Sequence, residues 1–258
     1  MTATRIEFHA VARALRFPHP VSHYGHRALA SNDHGLNILL IQSGIGPDKA
    51  RKSAQQLLAG ASWDVMISTG FAGALDTGPI GTVLIGEEVF REPCTTSHIP
   101  LTPQRIVCHP DWVQSALSLT WMGQEPLRTG RFVSVNRVLT HSVDKYKLKA
   151  STGAVGVDME SAAIGEVAQG HGLSFLIVRA TSDGVNEDLP VDFNLFLKPS
   201  GWFSGVMHIM TTPRSWKGFL DLYRHSKQAS LQLTRFFEEF FSAVSTMPPS
   251  PTPLTMKS

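Results

Sequence analysis

The hydrophobic positions of this chain fall into short unbroken runs that alternate with segments of helical period. "LNILLIQSGIG" (36–46) is an apolar run ending in Ser-Gly-Ile-Gly, and "PDKARKSAQQLLAG" (47–60) follows with helix formers opened by Pro47 and closed by Gly60. "WDVMISTGFAGAL" (63–75) again reads as a buried strand running into glycines, and "GTVLIGEEVF" (81–90) is a further β-branched run. "RFVSVNRVL" (131–139) and "SFLIVRATSDG" (174–184) flank a helix predicted to begin near Met159. Strands alternating with helices in this way predict an α/β domain around a mostly parallel or mixed sheet. No internal repeat interrupts the pattern.

From Pro213 to Phe241 the pattern changes: Trp216, Phe219, Leu220, Tyr223, Leu231, Leu233, Phe236, Phe237, Phe240 and Phe241 recur mostly at helical spacing. This predicts a C-terminal helical extension docked on the sheet. Its cations, Arg214, Lys217, Arg224, Lys227 and Arg235, leave a sharper reading open, in which residues 213–241 touch a membrane or cover a large apolar substrate. The Pro- and Ser-rich end reads as disordered. The predicted layout is therefore an α/β domain over 1–200, a helical extension over 201–242 and a disordered tail over 243–258.

A chain of 258 residues, 42% hydrophobic and 17% charged, is long enough for one large domain with a substantial core. The net charge of +2 gives no reason to expect a nucleic-acid partner. Cys94 and Cys108 form no CxxC pair, the N-terminal stretch is broken by charges, and no run is long enough to span a bilayer, so a cytoplasmic setting is expected. His9, His141 and His171 show no ligand spacing, and no metal or other cofactor is expected.

Chemistry enters where the strands end. "QSGIG", "STGFAG", "VSVN" and "RATSDG" are four apolar runs that exit into Ser, Thr, Asn, Asp or Gly, and ligands of α/β sheets bind beyond such ends. To these the sequence adds Asp158, Met159 and Glu160 at the mouth of a helix. Carboxylates there can simply complement the helix dipole and satisfy its free N–H groups. Combined with the four exits they mark a site.

These stretches resemble the nucleoside phosphorylase and nucleosidase superfamily, in particular its methylthioadenosine/adenosylhomocysteine nucleosidase branch. The resemblance covers roughly 1–197 and rests on "SGIG" (43–46), "STGFAGAL" (68–75), "VDMESAAI" (157–164) and "VRATSDG" (178–184), in that order. It implies a single domain with a central mixed β-sheet flanked by helices, and cleavage of the bond between ribose and a nucleobase. Breaking that bond builds positive charge on the sugar and negative charge on the departing purine, so groups of opposite character are needed at the two ends.

By the resemblance, Asp183 serves the five-membered ring of the leaving purine as acid, and Glu160 accepts hydrogen bonds from the ribose hydroxyls while Met159 lies against the sugar. Asp158 reads as a capping or supporting residue. Glu7 falls where nucleosidases carry the carboxylate that takes a proton from water. Ala72, Gly73, Val138, Leu139 and Ser182 fall around the base, and Gly46, Ser68 and Phe71 in the region of water or phosphate. An Asp at 183 is similar to members that accept adenine. Ser68 stands where phosphorolytic members carry an arginine, which favours hydrolysis over phosphorolysis, with Arg5 and Arg51 left as candidate phosphate ligands. The extension is similar in layout to hopanoid-associated phosphorylases, whose substrate is a lipid-linked adenine nucleoside. A homodimer is expected by analogy. A reading from another class, a non-catalytic nucleoside-binding protein, stands if Glu7 or Asp183 fails to reach the ligand.

Overall fold

The computed structural model describes residues 1–33, 35–59, 61–92, 104–123, 125–189 and 213–245. Four of the apolar runs become strands of one sheet: β4 (Val65–Ala74), β5 (Val83–Arg91), β7 (Arg128–Ser134) and β9 (Ser174–Asp183). Two three-residue strands, β6 (Arg105–Val107) and β8 (Gly156–Asp158), complete it in the order β6-β5-β7-β8-β4-β9. The expected mixed sheet is present, and it also closes, because β9 pairs in parallel with β4 on one side and antiparallel with β5 on the other. Closure leaves β4 and β9 without a free edge and surrounds their apolar side chains with protein.

The run at 36–46 behaves differently from its expectation within that sheet. Its strand, β3 (Leu36–Gln42), joins β1 (His19–His23) and β2 (His26–Asp33) in a separate antiparallel meander. The β1–β2 turn has positive φ at Tyr24 and Gly25 (45° and 76°), the backbone of a two-residue hairpin turn that suits right-twisted strands. A "YG" between strands carrying His, Ser and Asn lacks the clean alternation that announces a hairpin. The first residues of the chain bridge the two sheets: Thr2 N donates to Ile41 O at 2.9 Å, Ser43 N to Thr2 O at 2.8 Å, and Thr69 N to Met1 O at 2.9 Å. This seam brings the N-terminal segment beside β4.

The helices are α1 (Arg5–Ala12), α2 (Pro47–Leu58), α3 (Pro110–Leu117), α4 (Ser142–Thr152), α5 (Ser161–Gly170) and α6 (Pro213–Val244). The small residues of α5 permit close packing: a Cβ at Gly165 would sit 2.7 Å from the Phe175 ring. On α6, Ala229, Leu233, Phe236, Phe237, Phe240 and Phe241 are buried in one cluster with Phe8 and Val11 of α1 and Val178 of β9. The docking expectation thus describes the helix from Ala229 onward, while Leu220, Tyr223 and Leu231 of the predicted apolar set are exposed. The membrane reading of 213–241 is corrected for its last turns, whose phenylalanines face protein and not solvent. Among the described residues no helix is long and apolar enough to cross a membrane. Residues 246–258, most of the predicted tail, lie outside the described residues, as do 190–212 and Cys94.

Candidate active site

A cavity of about 180 Å³ opens where β4 and β9 end and the chain passes from β8 into α5. Every sequence-expected site residue lines it except Gly46, Ser68 and the candidate phosphate ligands Arg5 and Arg51. Larger depressions exist, one of about 590 Å³ between α1 and α6, but that one is walled by Arg13, Arg16, Glu238 and Glu239 near the surface and gathers none of the strand ends.

Glu7 sits in the first turn of α1 for a local reason. Thr4 and Glu7 form a reciprocal capping box, in which Glu7 N donates to Thr4 Oγ1 and Thr4 N donates to Glu7 Oε2 at 2.7 Å. The carboxylate also accepts from Ala3 N at 3.1 Å and, through Oε1, from Phe71 N on β4 at 2.7 Å. Three backbone donors on a group with about four acceptor positions leave one facing the cavity. The alternative of a solvent-exposed helix carboxylate is excluded, since Glu7 is 4% exposed. Phe71 contributes its backbone N–H here, whatever its side chain does.

Of the two carboxylates around Met159, only Asp158 caps the helix. Its Oδ1 accepts from Ser161 N at 3.2 Å and from Ser134 Oγ at 2.5 Å. Glu160 makes no cap and instead accepts from Gly46 N at 2.8 Å. Gly46 therefore serves the site from behind, by orienting Glu160. Burial pushes the Glu160 carboxyl up to about 7; Asp158 and Glu7 add to this, while Arg179 and the Gly46 N–H oppose it.

Asp183 lies at the end of β9, where the pairing with β4 slips: Ala72 faces Thr181 but Gly73 faces Asp183. The extra residue, Ser182, is a bulge, and bulges re-aim the side chains that follow them. Asp183 accepts from Ser182 Oγ at 2.9 Å and from Lys145 Nζ of α4 at 2.5 Å. A Cβ at Gly73 would press on Val157 at 3.0 Å and on the Asp183 carboxylate at 3.2 Å, so any larger residue here has to shift the two side chains. Val138 and Leu139 form an aliphatic wall with Val135 and Val157.

Three residues escaped the sequence reading. Arg179 is 1% exposed and donates to Ser68 Oγ and Ser161 Oγ, both at 2.9 Å, with an ion pair of 2.8 Å to Asp158. Ser68 is thus a buried partner of Arg179 and not part of the cavity wall, which corrects its assignment to the water or phosphate region. A charge set in the apolar run "SFLIVRA" was the available signal, since arginine is buried only when paired. Arg137 lines the cavity and is held bidentate by Glu92 at 2.5 and 3.2 Å. Lys145 had no signal that separates it from its exposed neighbour Lys147. Of the proposed phosphate ligands, Arg5 is exposed on α1 and Arg51 is paired with Glu166 at 2.5 Å. Among the described residues no cluster of His, Cys, Asp and Glu could hold a metal ion.

Residues 1–199 match the phosphorylase superfamily as a family. The chain belongs to the phosphorylase superfamily. As a member of it, the chain is an enzyme. Among curated phosphorylase superfamily proteins it is similar to the 5'-methylthioadenosine/S-adenosylhomocysteine nucleosidase of Staphylococcus aureus, 29% identical over 170 residues that cover 62% of this chain and 75% of that one. The nucleosidase of the same name from Shewanella baltica is 27% identical over 183 residues, 67% of this chain and 78% of that one. Many solved structures share the fold, two of which illustrate it. The Neisseria meningitidis nucleosidase in complex with methylthio-immucillin-A has a TM-score of 0.68 at 21% identity, covering 92% of this chain and 96% of that one. A Helicobacter pylori futalosine hydrolase mutant has a TM-score of 0.66 at 18% identity, covering 86% and 96%.

Proposed function

We propose that this enzyme hydrolyses the N-glycosidic bond of an adenine nucleoside. The observation that carries the reading is the convergence of three buried carboxyl groups, Glu7, Glu160 and Asp183, on one cavity with an aliphatic wall. In this reading the base lies between Gly73 and the Val138–Leu139 wall, with Asp183 at its five-membered ring. Glu160 holds the ribose hydroxyls, and Met159 covers the sugar without offering a nucleophile. As the bond lengthens, the departing base takes a proton from Asp183, and the sugar cation is favoured by Glu160 and Glu7. Water held by the free acceptor position of Glu7 then adds to the anomeric carbon and gives Glu7 its proton.

Water is favoured over phosphate because the nearby cations are already engaged: Lys145 by Asp183, Arg137 by Glu92 and Arg179 by Asp158. The named relatives act on methylthioadenosine and adenosylhomocysteine, and one fold neighbour is a futalosine hydrolase, so purine nucleosides with varied five-prime groups, adenine nucleosides first, are the substrates to try. The lipid-linked variant loses part of its support, since the aromatic residues of α6 from Leu233 onward are buried in the core.

The test is base release from methylthioadenosine, adenosylhomocysteine, inosine and an adenosylhopane-like lipid, with and without phosphate. Free adenine with a reducing sugar, formed without phosphate, is the expected outcome. Asp183→Asn should lower kcat by about 10²- to 10⁴-fold, the range of general acid catalysis. Sugar 1-phosphate formed only with phosphate would overturn hydrolysis, and no base release at all would make this a nucleoside-binding protein.

A further inference from the structure

Lys145 is a lysine with no exposed surface in the wall of the cavity, and no step above uses it. Its Nζ lies 2.5 Å from Asp183 Oδ2, 2.8 Å from Gly184 O and 3.1 Å from Glu187 O. An ammonium has three N–H donors and no acceptor, so these three bonds use its full capacity. A neutral amine has two N–H donors and one lone pair. The same three neighbours satisfy that form equally well: the two carbonyls accept the two N–H groups, and the lone pair accepts O–H from a protonated Asp183. The site is therefore hydrogen-bonded without a defect whether the proton resides on Lys145 or on Asp183.

The surrounding charges leave Asp183 as the carboxylate in bonding reach of Nζ among the described residues. The Glu187 carboxylate accepts from Gly184 N at 3.0 Å and faces His225 Nδ1 of α6 at 3.6 Å. Asp188 accepts from Ser142 N at 2.6 Å and faces His141 at 3.9 Å. Neither carboxylate is bonded to Nζ, although the lysine's charge, after the Ser142 hydrogen bonds and His141, helps to lower the pKa of Asp188.

We propose that Lys145 is a positioning residue that supplies Asp183 with the proton delivered to the leaving base, an assignment that rests on reading the cavity as a nucleoside-cleaving site. The C–N bond breaks and its electron pair goes to the base. A ring nitrogen of the base takes a proton from Asp183, and Asp183 Oδ2 takes one from Lys145 Nζ. Lys145 is left as a neutral amine still bonded to both carbonyls. The proton that water releases to Glu7 passes to solvent, and Lys145 is recharged from solvent when the base departs, so each turnover consumes one nucleoside and one water.

Lysine can give up this proton, whereas arginine, permanently charged, cannot. The test measures single-turnover rates of the full chain for wild type, Lys145→Arg and Lys145→Gln on the best nucleoside, together with the dependence of the rate on the deuterium fraction of the solvent. Both variants should lower the chemical rate about 100-fold with KM within about threefold. The solvent-isotope plot should be bowed for wild type, with two protons in flight, and lose one of them in Lys145→Arg. Wild-type rates in Lys145→Arg, or the same plot in both proteins, would overturn the assignment and leave the lysine a structural tie. Should neither variant fold, a linear plot for wild type overturns it and a bowed one supports it. A wild-type protein that releases no base from any nucleoside overturns the functional reading itself, a result distinct from normal release by unimpaired variants.

Discussion

Glu160 shows how one side chain ties stability to function. Its carboxyl, 6% exposed, is raised by burial from an ordinary value of 4.5 to about 7. Because the folded value lies above the unfolded one, the protein is favoured below pH 4.5 and loses stability as pH rises to about 7, by roughly 3 kcal/mol in total. Glu160→Gln, which keeps an oxygen for the Gly46 N–H, should therefore be more stable than wild type at pH 8, with the difference fading toward pH 4.5. Urea unfolding at the two pH values checks this; equal differences at both would refute the linkage. If Glu160 grips ribose hydroxyls as an anion, the same variant should lose nucleoside affinity. The sequence made Glu160, Glu7 and Asp183 visible because each stands in a recognisable stretch. It hid Lys145, which sits on α4 among other lysines and gains its meaning only when that helix is laid against the end of β9.

Local elements were legible where one signal dominated. Pro47 and Gly60 bracket α2, which spans Pro47–Leu58, and the run at 63–75 became β4, Val65–Ala74. Glycines within these elements carry a second message that the pattern alone does not disclose. Gly70 has φ of +152°, and a Cβ there would lie 2.4 Å from Glu7 Oε1 and 2.7 Å from an Arg179 guanidinium nitrogen. β4 approaches α1 this closely only because residue 70 has no side chain. Gly70→Ala should displace the Glu7 carboxylate and lower kcat at least about tenfold, since misplacing a catalytic group by an ångström is costly. Comparing kcat with the melting temperature separates the two effects: a fall in stability with kcat intact would show that Glu7 tolerates the move. β1 and β2, and the meander they form with the expected strand β3, were missed because they carry a mixture of polar residues and follow no strict alternation, leaving tertiary contacts to decide their conformation.

At the scale of the molecule, α6 shares one core with α1 and the sheet. Phe236 and Phe240 stack at 5.4 Å, and both are buried against α1 and the sheet. Phe240→Ala should cost about 3–5 kcal/mol, as large-to-small changes of buried phenylalanine do. Unfolding should remain a single transition, observed by near- and far-ultraviolet circular dichroism in urea. A separate early transition would mean that α6 is an accessory layer. By itself the sequence determined the alternation of strands and helices, the helical period of the apolar C-terminal extension, and the residue types offered at each strand end. These follow from local periodicity and from the chemistry of side chains near one another in the chain. Only the tertiary structure decided that the sheet closes through β5 and β9, that Ser68 turns inward to Arg179, and that Lys145 meets Asp183. Those features join residues 38 to 111 positions apart, and such pairings depend on the summed packing of the whole chain, which no local pattern encodes.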